Sequence, residues 1–343
     1  MVDHRSPLPR GLVGSRLAAS LSVLFALAIA ACSESPSRSD GRSLAEAGVD
    51  QRIDAVGDDA RADGPEVDGP GDASGDAATP PDLGADLGPD AGQPGLVLRV
   101  TFDQAALGAY TDSAIRSEWK WIKWHSGLDK GRVFIVDGAH AKSGRSLRIS
   151  YPKGTYGPSQ GGAQWWVTLP KGYDELYCAY WIKFGAGFDF VKGGKIPGLL
   201  GGKGNTGGSK PNGKDGWSAR MMWRKGGDAV QYLYHPDQPS TWGEDLAWDI
   251  GGKRVFKPDT WVRVEHRIVM NTPGKKDGIV EAWWNGTLAL SRKNVRFRDV
   301  SSFAIDGFYF STFFGGGDSS WSSSKDEFVY FDDFVIATQP ITH

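Results

Sequence analysis

From residue 96 onward the chain alternates apolar and polar positions with a period of two. Leu96-Val97-Leu98-Arg99-Val100-Thr101-Phe102 is the first such run. Others cover Ser146–Tyr151, Gln164–Leu169, Leu176–Phe184, Trp217–Trp223, Ala229–Tyr234, Trp261–Met270, Ile279–Trp284, Gly307–Phe313 and Phe328–Ala337. Successive side chains of a strand point to opposite faces, so this pattern predicts strands with one buried face. Turn signals separate them: Lys153-Gly154, Pro170-Lys171-Gly172, Lys225-Gly226-Gly227, Asn271-Thr272-Pro273-Gly274 and Asn285-Gly286. No run shows a convincing amphipathic helical period. Many short strands over roughly 250 residues without a helical repeat predict an all-β jelly-roll sandwich.

The first 95 residues follow another pattern. Arg5, Arg10 and Arg16 precede the apolar run Leu17–Ala31, which stops at Cys32. A basic region, a short apolar run and small residues before a cleavage point make a secretory signal. The run is too short and alanine-rich for a comfortable transmembrane helix. Ile29-Ala30-Ala31-Cys32 resembles a bacterial lipobox, in which the cysteine is lipidated and becomes the mature N-terminus. Plain secretion with an incidental cysteine is the alternative. Ser33 follows Cys32, which by resemblance to other lipoproteins favours the outer membrane. Residues 32–95 are rich in Asp, Gly, Pro and Ala and have no apolar period, so they cannot bury a core. The expected organisation is a signal peptide at 1–31, a disordered acidic tether at 32–95 and one domain at 96–343.

Composition sharpens this reading. Two cysteines, Cys32 and Cys178, are too few for a disulfide framework. Cys178 sits inside an apolar strand and reads as a buried, inert thiol. Aromatic residues make up 12% of the chain and glycines number 47, which suits strands and tight turns. Residues 1–95 hold 7 Lys/Arg and 16 Asp/Glu, against 39 and 41 in the whole chain, so the remainder is net positive by 7. A basic domain behind an acidic leader suits a polyanionic partner, although an excess of this size is also ordinary. The basic residues are dispersed and the leader points outside the cytoplasm, which argues against nucleic acid.

The densest chemistry lies between Lys192 and Pro236. Lys195 sits there in a glycine-bounded turn. Ser218 and Arg220 share one strand face, and Tyr232 and Tyr234 share another. A three-residue loop at Lys225-Gly226-Gly227 pairs Arg224 with Asp228, which sets Arg220 opposite Tyr232 and Ser218 opposite Tyr234. A two-residue turn would send the pairs to opposite faces. The first register makes one patch of two phenols, a guanidinium and a hydroxyl; an ordinary exposed sheet face is the alternative.

Other polar residues read less sharply. His235 points to the other face from Tyr234, which favours a structural role, yet with Trp217 and Lys192 it is an expected substrate contact. His266 shares a face with Val264 and Ile268 and reads as a satisfied sheet histidine. Trp121 and Trp124, beside His125, are equally suited to sugar stacking and to core packing. Asp103, Asp332 and Asp333 resemble strand-end acids that hold calcium in some jelly rolls, with turn capping as the alternative. No Cys/His set has zinc spacing. Glu265 and Glu281 are isolated, so the paired carboxylates of a glycoside hydrolase are not evident.

The blocks F-D-F-V-K-G-G-K-I-P-G-L-L-G-G, W-S-A-R, Y-L-Y-H-P-D-Q and S-T-F-F-G-G-G-D-S-S-W resemble polysaccharide lyase family 14, in the family's order, across Gly95 to the end. The resemblance implies a concanavalin-like β-jelly roll with a glycan-binding cleft. It places the catalytic residues at Lys195, Ser218, Arg220, Tyr232 and Tyr234, with no metal and no cofactor. It implies β-elimination on a uronate-containing polysaccharide of alginate or glucuronan type, by a protein expected to be a monomer. The residue types suit that reaction. The C5 proton beside a charged carboxylate is a poor acid, so cations must gather charge as the enolate forms. A base must take that proton and an acid must protonate the leaving oxygen. Either tyrosine, or Lys195 as base, fits these roles. A jelly-roll hydrolase and a non-catalytic glycan-binding surface lipoprotein are the rival functions.

Overall fold

The computed structural model describes residues 93–342. The expected signal, Cys32 and the tether up to residue 92 lie outside the described residues. In chain order the strands are β1 (Leu96–Val100), β2 (Gly108–Ala109), β3 (Ile122–Ser126), β4 (Val133–Asp137), β5 (Arg145–Tyr151) and β6 (Ala163–Tyr173). Next come β7 (Glu175–Phe184), β8 (Gly193–Gly202), β9 (Gly216–Arg224), β10 (Ala229–Tyr234) and β11 (Glu244–Ala247). The last are β12 (Val262–Val269), β13 (Gly278–Trp284), β14 (Thr287–Val295), β15 (Ile305–Phe314) and β16 (Glu327–Ala337). Two short helices, α1 (Asp112–Trp119) and α2 (Gly157–Gln160), interrupt them.

The strands form two antiparallel sheets packed as a jelly-roll sandwich. One runs β14-β13-β12-β7-β16-β5-β4-β2, with β1 also on β16; the other runs β11-β10-β9-β8-β15-β6-β3. The core between them is largely aromatic. The rings of Trp165 and Phe310 stack at 3.6 Å, and Trp119 stacks on Phe308 at 5.5 Å. On β15, Phe308 and Phe310 face this core, so the alternation turns Tyr309, Ser311 and Phe313 to the opposite face. That second face of the seven-stranded sheet carries the candidate site.

All ten strands expected from the alternation are present. The sequence reading missed the short strands β2, β3, β4 and β11, the strand β14 that closes the Asn285-Gly286 hairpin, and above all β8. Lys195 is not in a turn but within β8, a ten-residue strand containing five glycines. Glycine normally argues against a strand. Here it answers to crowding: a Cβ on Gly194 would lie 2.1 Å from the Trp223 ring, and one on Gly201 would lie 1.8 Å from the Ala304 carbonyl oxygen. Helix α1 was also unexpected. Thr111 caps it, its hydroxyl accepting from the Ala114 N–H at 3.2 Å. Only Ile115 and Trp119 are buried, too few positions to give a helical period.

Trp165 is fully buried against Phe310 and Trp119. Trp165→Ala is expected to lower unfolding free energy by about 3–5 kcal/mol. Denaturant unfolding followed by intrinsic fluorescence measures this, and a loss below ~1 kcal/mol would show that the two sheets do not depend on that stack.

Candidate active site

The hairpin of β9 and β10 sets the site. The Arg224 N–H donates to the Asp228 carbonyl at 2.8 Å, closing a three-residue turn at Lys225-Gly226-Gly227 in which Gly226 has φ 76° and Gly227 φ 90°. These are left-handed values that glycine tolerates without strain. The resulting register places Arg220 opposite Tyr232 and Ser218 opposite Tyr234. The four side chains therefore share one face. The two phenol rings meet edge to face at 5.5 Å.

Lys195 joins them from β8. It pairs with Met222 on β9 and Phe313 on β15, and its Nζ lies 4.8 Å from the centre of the Tyr232 ring. Arg224 approaches the same ring at 5.4 Å while bound by two 2.7 Å hydrogen bonds to Asp245. Arg220 reaches the other way. Its Nη1 donates to Ser311 Oγ at 3.2 Å, and its guanidinium lies 5.3 Å from the Tyr309 ring centre. The Tyr309 hydroxyl donates to Gln164 Oε1. Lys195 is 4% exposed, Tyr232 2%, and Arg220 and Tyr234 are fully buried.

A bulge in β8 makes room for the guanidinium. Ile196 pairs with Met221 and Leu199 with Ala219, so Pro197 and Gly198 together stand opposite Arg220. Proline has no N–H to offer the neighbouring strand. The Ala219 and Arg220 carbonyls instead accept from the Gln231 side-chain amide, at 2.8 Å each. Gln231 is buried beneath the sheet, and its Oε1 lies 3.3 Å from Nδ1 of His266, which belongs to the other sheet. Burial holds His266 neutral, with its pKa lowered to about 3. The Tyr180 hydroxyl donates to the Pro197 carbonyl at 3.0 Å from the same side. Gln231 carried no sequence signal beyond being polar at an inward-facing position of β10.

Two loops cover the tyrosines. The Gly208 N–H donates to Tyr234 Oη at 3.1 Å, and the Ser218 hydroxyl donates to the Asn205 carbonyl at 2.6 Å. The proton of Ser218 is thus committed to the backbone of residues 203–215. Lys210 ties this loop to the next by donating to the Gln238 carbonyl at 2.8 Å. The Gln238 amide in turn donates to the carbonyls of Ser240, Thr241 and Trp242. Gly243 passes so close that a Cβ there would lie within 3.0 Å of both phenol rings.

The expected substrate contacts fare differently. Trp217 is on the core face, fully buried at 4.8 Å from Phe297, with Nε1 donating to the Ala304 carbonyl at 3.3 Å. The one-residue offset from Ser218 reverses its direction, so it is a packing residue and not a substrate contact. His235 is 4% exposed and its Nε2 is 2.7 Å from Glu244 Oε2, which fixes it at the end of β10. Lys192 is exposed at the rim before β8, its ammonium donating to Ser320 Oγ at 2.7 Å. His125 is held by Asp112 at 2.6 Å, Trp121 packs on the core, and Trp124 sits on the sheet face that carries Tyr309. Asp103 accepts from the Arg145 N–H, and buried Asp332 accepts from Ser146, Ser143 and the Asp333 N–H. Asp103 and Asp332 thus tie down the chain entering β5, Asp332 from the middle of β16. Burial raises the Asp332 carboxyl to about 7. Cys178 is buried as expected, and burial pushes its thiol upward. Tyr309, Ser311, Gln164 and Met222 were missed as site residues; the alternation of Phe308–Phe313 was the available signal for two of them.

The profile of polysaccharide lyase 14 matches residues 139–334. That span covers every strand from β5 through most of β16. The chain belongs to polysaccharide lyase family 14. As a family 14 polysaccharide lyase it is similar to the solved structure of alginate lyase Aly36B, at 26% identity and a TM-score of 0.61, over 73% of this chain and 99% of that one. It is similar to the alginate lyase of Aplysia kurodai at 29% identity and a TM-score of 0.60, over 71% and 99% of the two chains. An Aly36B variant with a lysine and a tyrosine replaced by alanine, bound to alginate tetrasaccharide, matches at 26% identity and a TM-score of 0.62, over 73% and 99%. No curated protein sequence matches.

Replacing Gln231 by Leu leaves the Ala219 and Arg220 carbonyls buried without their donor. We expect a loss of about 1–3 kcal/mol in unfolding free energy together with reduced turnover. Chemical unfolding and initial rates on the same preparation measure both, and unchanged turnover would show that Arg220 does not depend on this support.

Proposed function

We propose that this lyase cleaves a uronate polymer of alginate type by β-elimination on the face shared by Lys195, Arg220 and Tyr232. The observation carrying this reading is the convergence of an ammonium, a guanidinium and a phenol on one cleft face of a family 14 chain. Arg220, locked between Ser311 and Tyr309, is the fixed cation for the uronate carboxylate. Its charge stabilises the enolate as the C5 proton departs. Lys195 and Tyr232 form the proton-transfer pair. One takes the C5 proton, whose electron pair becomes the C4–C5 double bond. The C4–O bond breaks with its pair on the leaving oxygen, which the other protonates. Tyr234, whose oxygen is held by Gly208, buttresses Tyr232. The alginate preference rests on the similarity to the lyases of Aplysia kurodai and Aly36B, the latter caught with alginate tetrasaccharide after loss of a lysine and a tyrosine.

Lys195→Ala and Tyr232→Phe are each expected to lower turnover about 100-fold or more, with an unfolding midpoint close to that of the unaltered protein. The assay is ultraviolet absorbance from the new C4–C5 double bond on alginate, polymannuronate, polyguluronate and glucuronan, run beside a reducing-sugar assay. Reducing ends without absorbance would identify a hydrolase and overturn the elimination chemistry. Wild-type rates in both variants would remove the proposed site.

We also propose that Ile29-Ala30-Ala31-Cys32 is a lipidation signal that anchors the lyase in the outer membrane, facing outward. Its lipid anchor is the expected membrane partner. Cell fractionation checks this: the unaltered protein is expected in the membrane fraction, and Cys32→Ser is expected to leave it. A soluble unaltered protein would overturn the anchor.

A further inference from the structure

The row that contains Arg220 does not end at the catalytic residues. Across the seven-stranded sheet Tyr232 stands opposite Arg220, and Arg220 faces the β8 bulge. On the far side of the bulge Gly198 pairs with Tyr309, Tyr309 with Trp166, and Trp166 with Trp124. Cα partners in a sheet carry their side chains on the same face. The row therefore runs straight across the strands and finishes on two indoles.

Those indoles differ from the core tryptophans. Trp124 and Trp166 are half-buried, whereas Trp119, Trp165, Trp217 and Trp223 are closed off from solvent. The rings are held edge-on or tilted around Tyr309: Trp124 lies 5.8 Å from it and Trp166 6.1 Å. Tyr309 is also the ring against which Arg220 packs. Positive charge sits over this aromatic floor, because the exposed Lys123 holds its ammonium 4.9 Å from the centre of the Trp166 ring. Asp306 is nearby, but both of its oxygens accept from the Gly202 N–H at 3.1 Å. Between side chains the step is shorter than the three intervening strand spacings: the Tyr309 ring alone separates the Arg220 guanidinium, at 5.3 Å, from Trp166, at 6.1 Å.

We propose that Trp124, Trp166 and Lys123 form a distal subsite that grips an acidic sugar unit of the polymer beyond the units at the bond being cut. The apolar face of the pyranose lies against the indoles, and its carboxylate meets the Lys123 ammonium. This rests on the uronate-polymer reading above. It adds the direction of the bound chain, which crosses the strands along the row from Tyr232 to Trp124. The subsite contributes binding and takes no part in bond breaking. Its loss therefore raises KM on long chains and leaves kcat nearly unchanged.

The test uses the full-length chain with Lys123→Gln, Trp124→Ala and Trp166→Ala. Lys123 is exposed, so its replacement keeps the experiment interpretable even if a tryptophan variant folds poorly. Two readouts are needed. In native gels containing alginate, each variant is expected to lose most of the retardation shown by the unaltered protein, while Lys195→Ala keeps it. In rate measurements, KM on the polymer is expected to rise about tenfold, the equivalent of some 1.4 kcal/mol, with kcat within twofold. KM on a trisaccharide, which can reach only the near edge of the floor, is expected to rise less than KM on the polymer. Unchanged retardation and unchanged polymer KM in Lys123→Gln and Trp124→Ala would overturn the subsite. An equal rise of KM on trisaccharide and polymer would overturn its distal position. If the unaltered protein produced no ultraviolet absorbance, the elimination reading would fall, and gel retardation would still decide the subsite on its own.

Discussion

A two-residue bulge, Pro197-Gly198, in the middle of β8 is the constraint on which the site depends. It breaks the regular ladder where Arg220 must pass, and it leaves carbonyls that no strand neighbour can serve. The sheet is repaired from below by Gln231 and Tyr180, in a layer that substrate never touches. A guanidinium buried in a protein interior needs several fixed partners to hold its position. Here β15 holds the guanidinium through Ser311 and Tyr309, while the core holds the Arg220 backbone carbonyl through Gln231. The proposed catalytic face and the aromatic core are thus joined at one irregularity.

The hairpin of β9 and β10 shows how far a sequence can specify a site. Lys225-Gly226-Gly227 could close in two ways, differing by one residue of register. A slip of one would bury Tyr232 and Tyr234 in the core and expose Leu233. The apolar residues Ala219, Met221 and Leu233, all buried, weigh against that slip as strongly as the glycines favour the observed turn. The long strands were legible for the same reason, since each has one face in the core. The family resemblance then pointed to Lys195, Ser218, Arg220, Tyr232 and Tyr234 as the expected catalytic set.

What was illegible has physical causes. Strand β8 reads as a loop because its glycines reflect the bulk of Trp217 and Trp223 on the neighbouring strand, information that local propensity does not contain. Trp217 looked like a sugar platform because it adjoins Ser218, but adjacent strand residues face opposite ways. Gln231, Ser311 and Gln164 act through partners 11 to 147 positions away in the chain, and no local pattern marks such contacts. The commitment of the Ser218 proton to Asn205 likewise appears only once the covering loop is in place.

The glycines of β8 bear on how this lyase can change over evolution or in the laboratory. At Gly193, Gly194, Gly198, Gly201 and Gly202 an added Cβ would fall within 2.5 Å of an indole or a backbone atom of the adjoining chain. Half the positions of the strand that presents Lys195 are therefore closed to substitution, and the geometry of the candidate site is inherited as a unit. Variation is left to the rims: the loops at 203–215 and 235–243, and the half-exposed ends of β6 and β3. New substrate preferences in this scaffold should arise by altering the two ends of the groove around an unchanging middle.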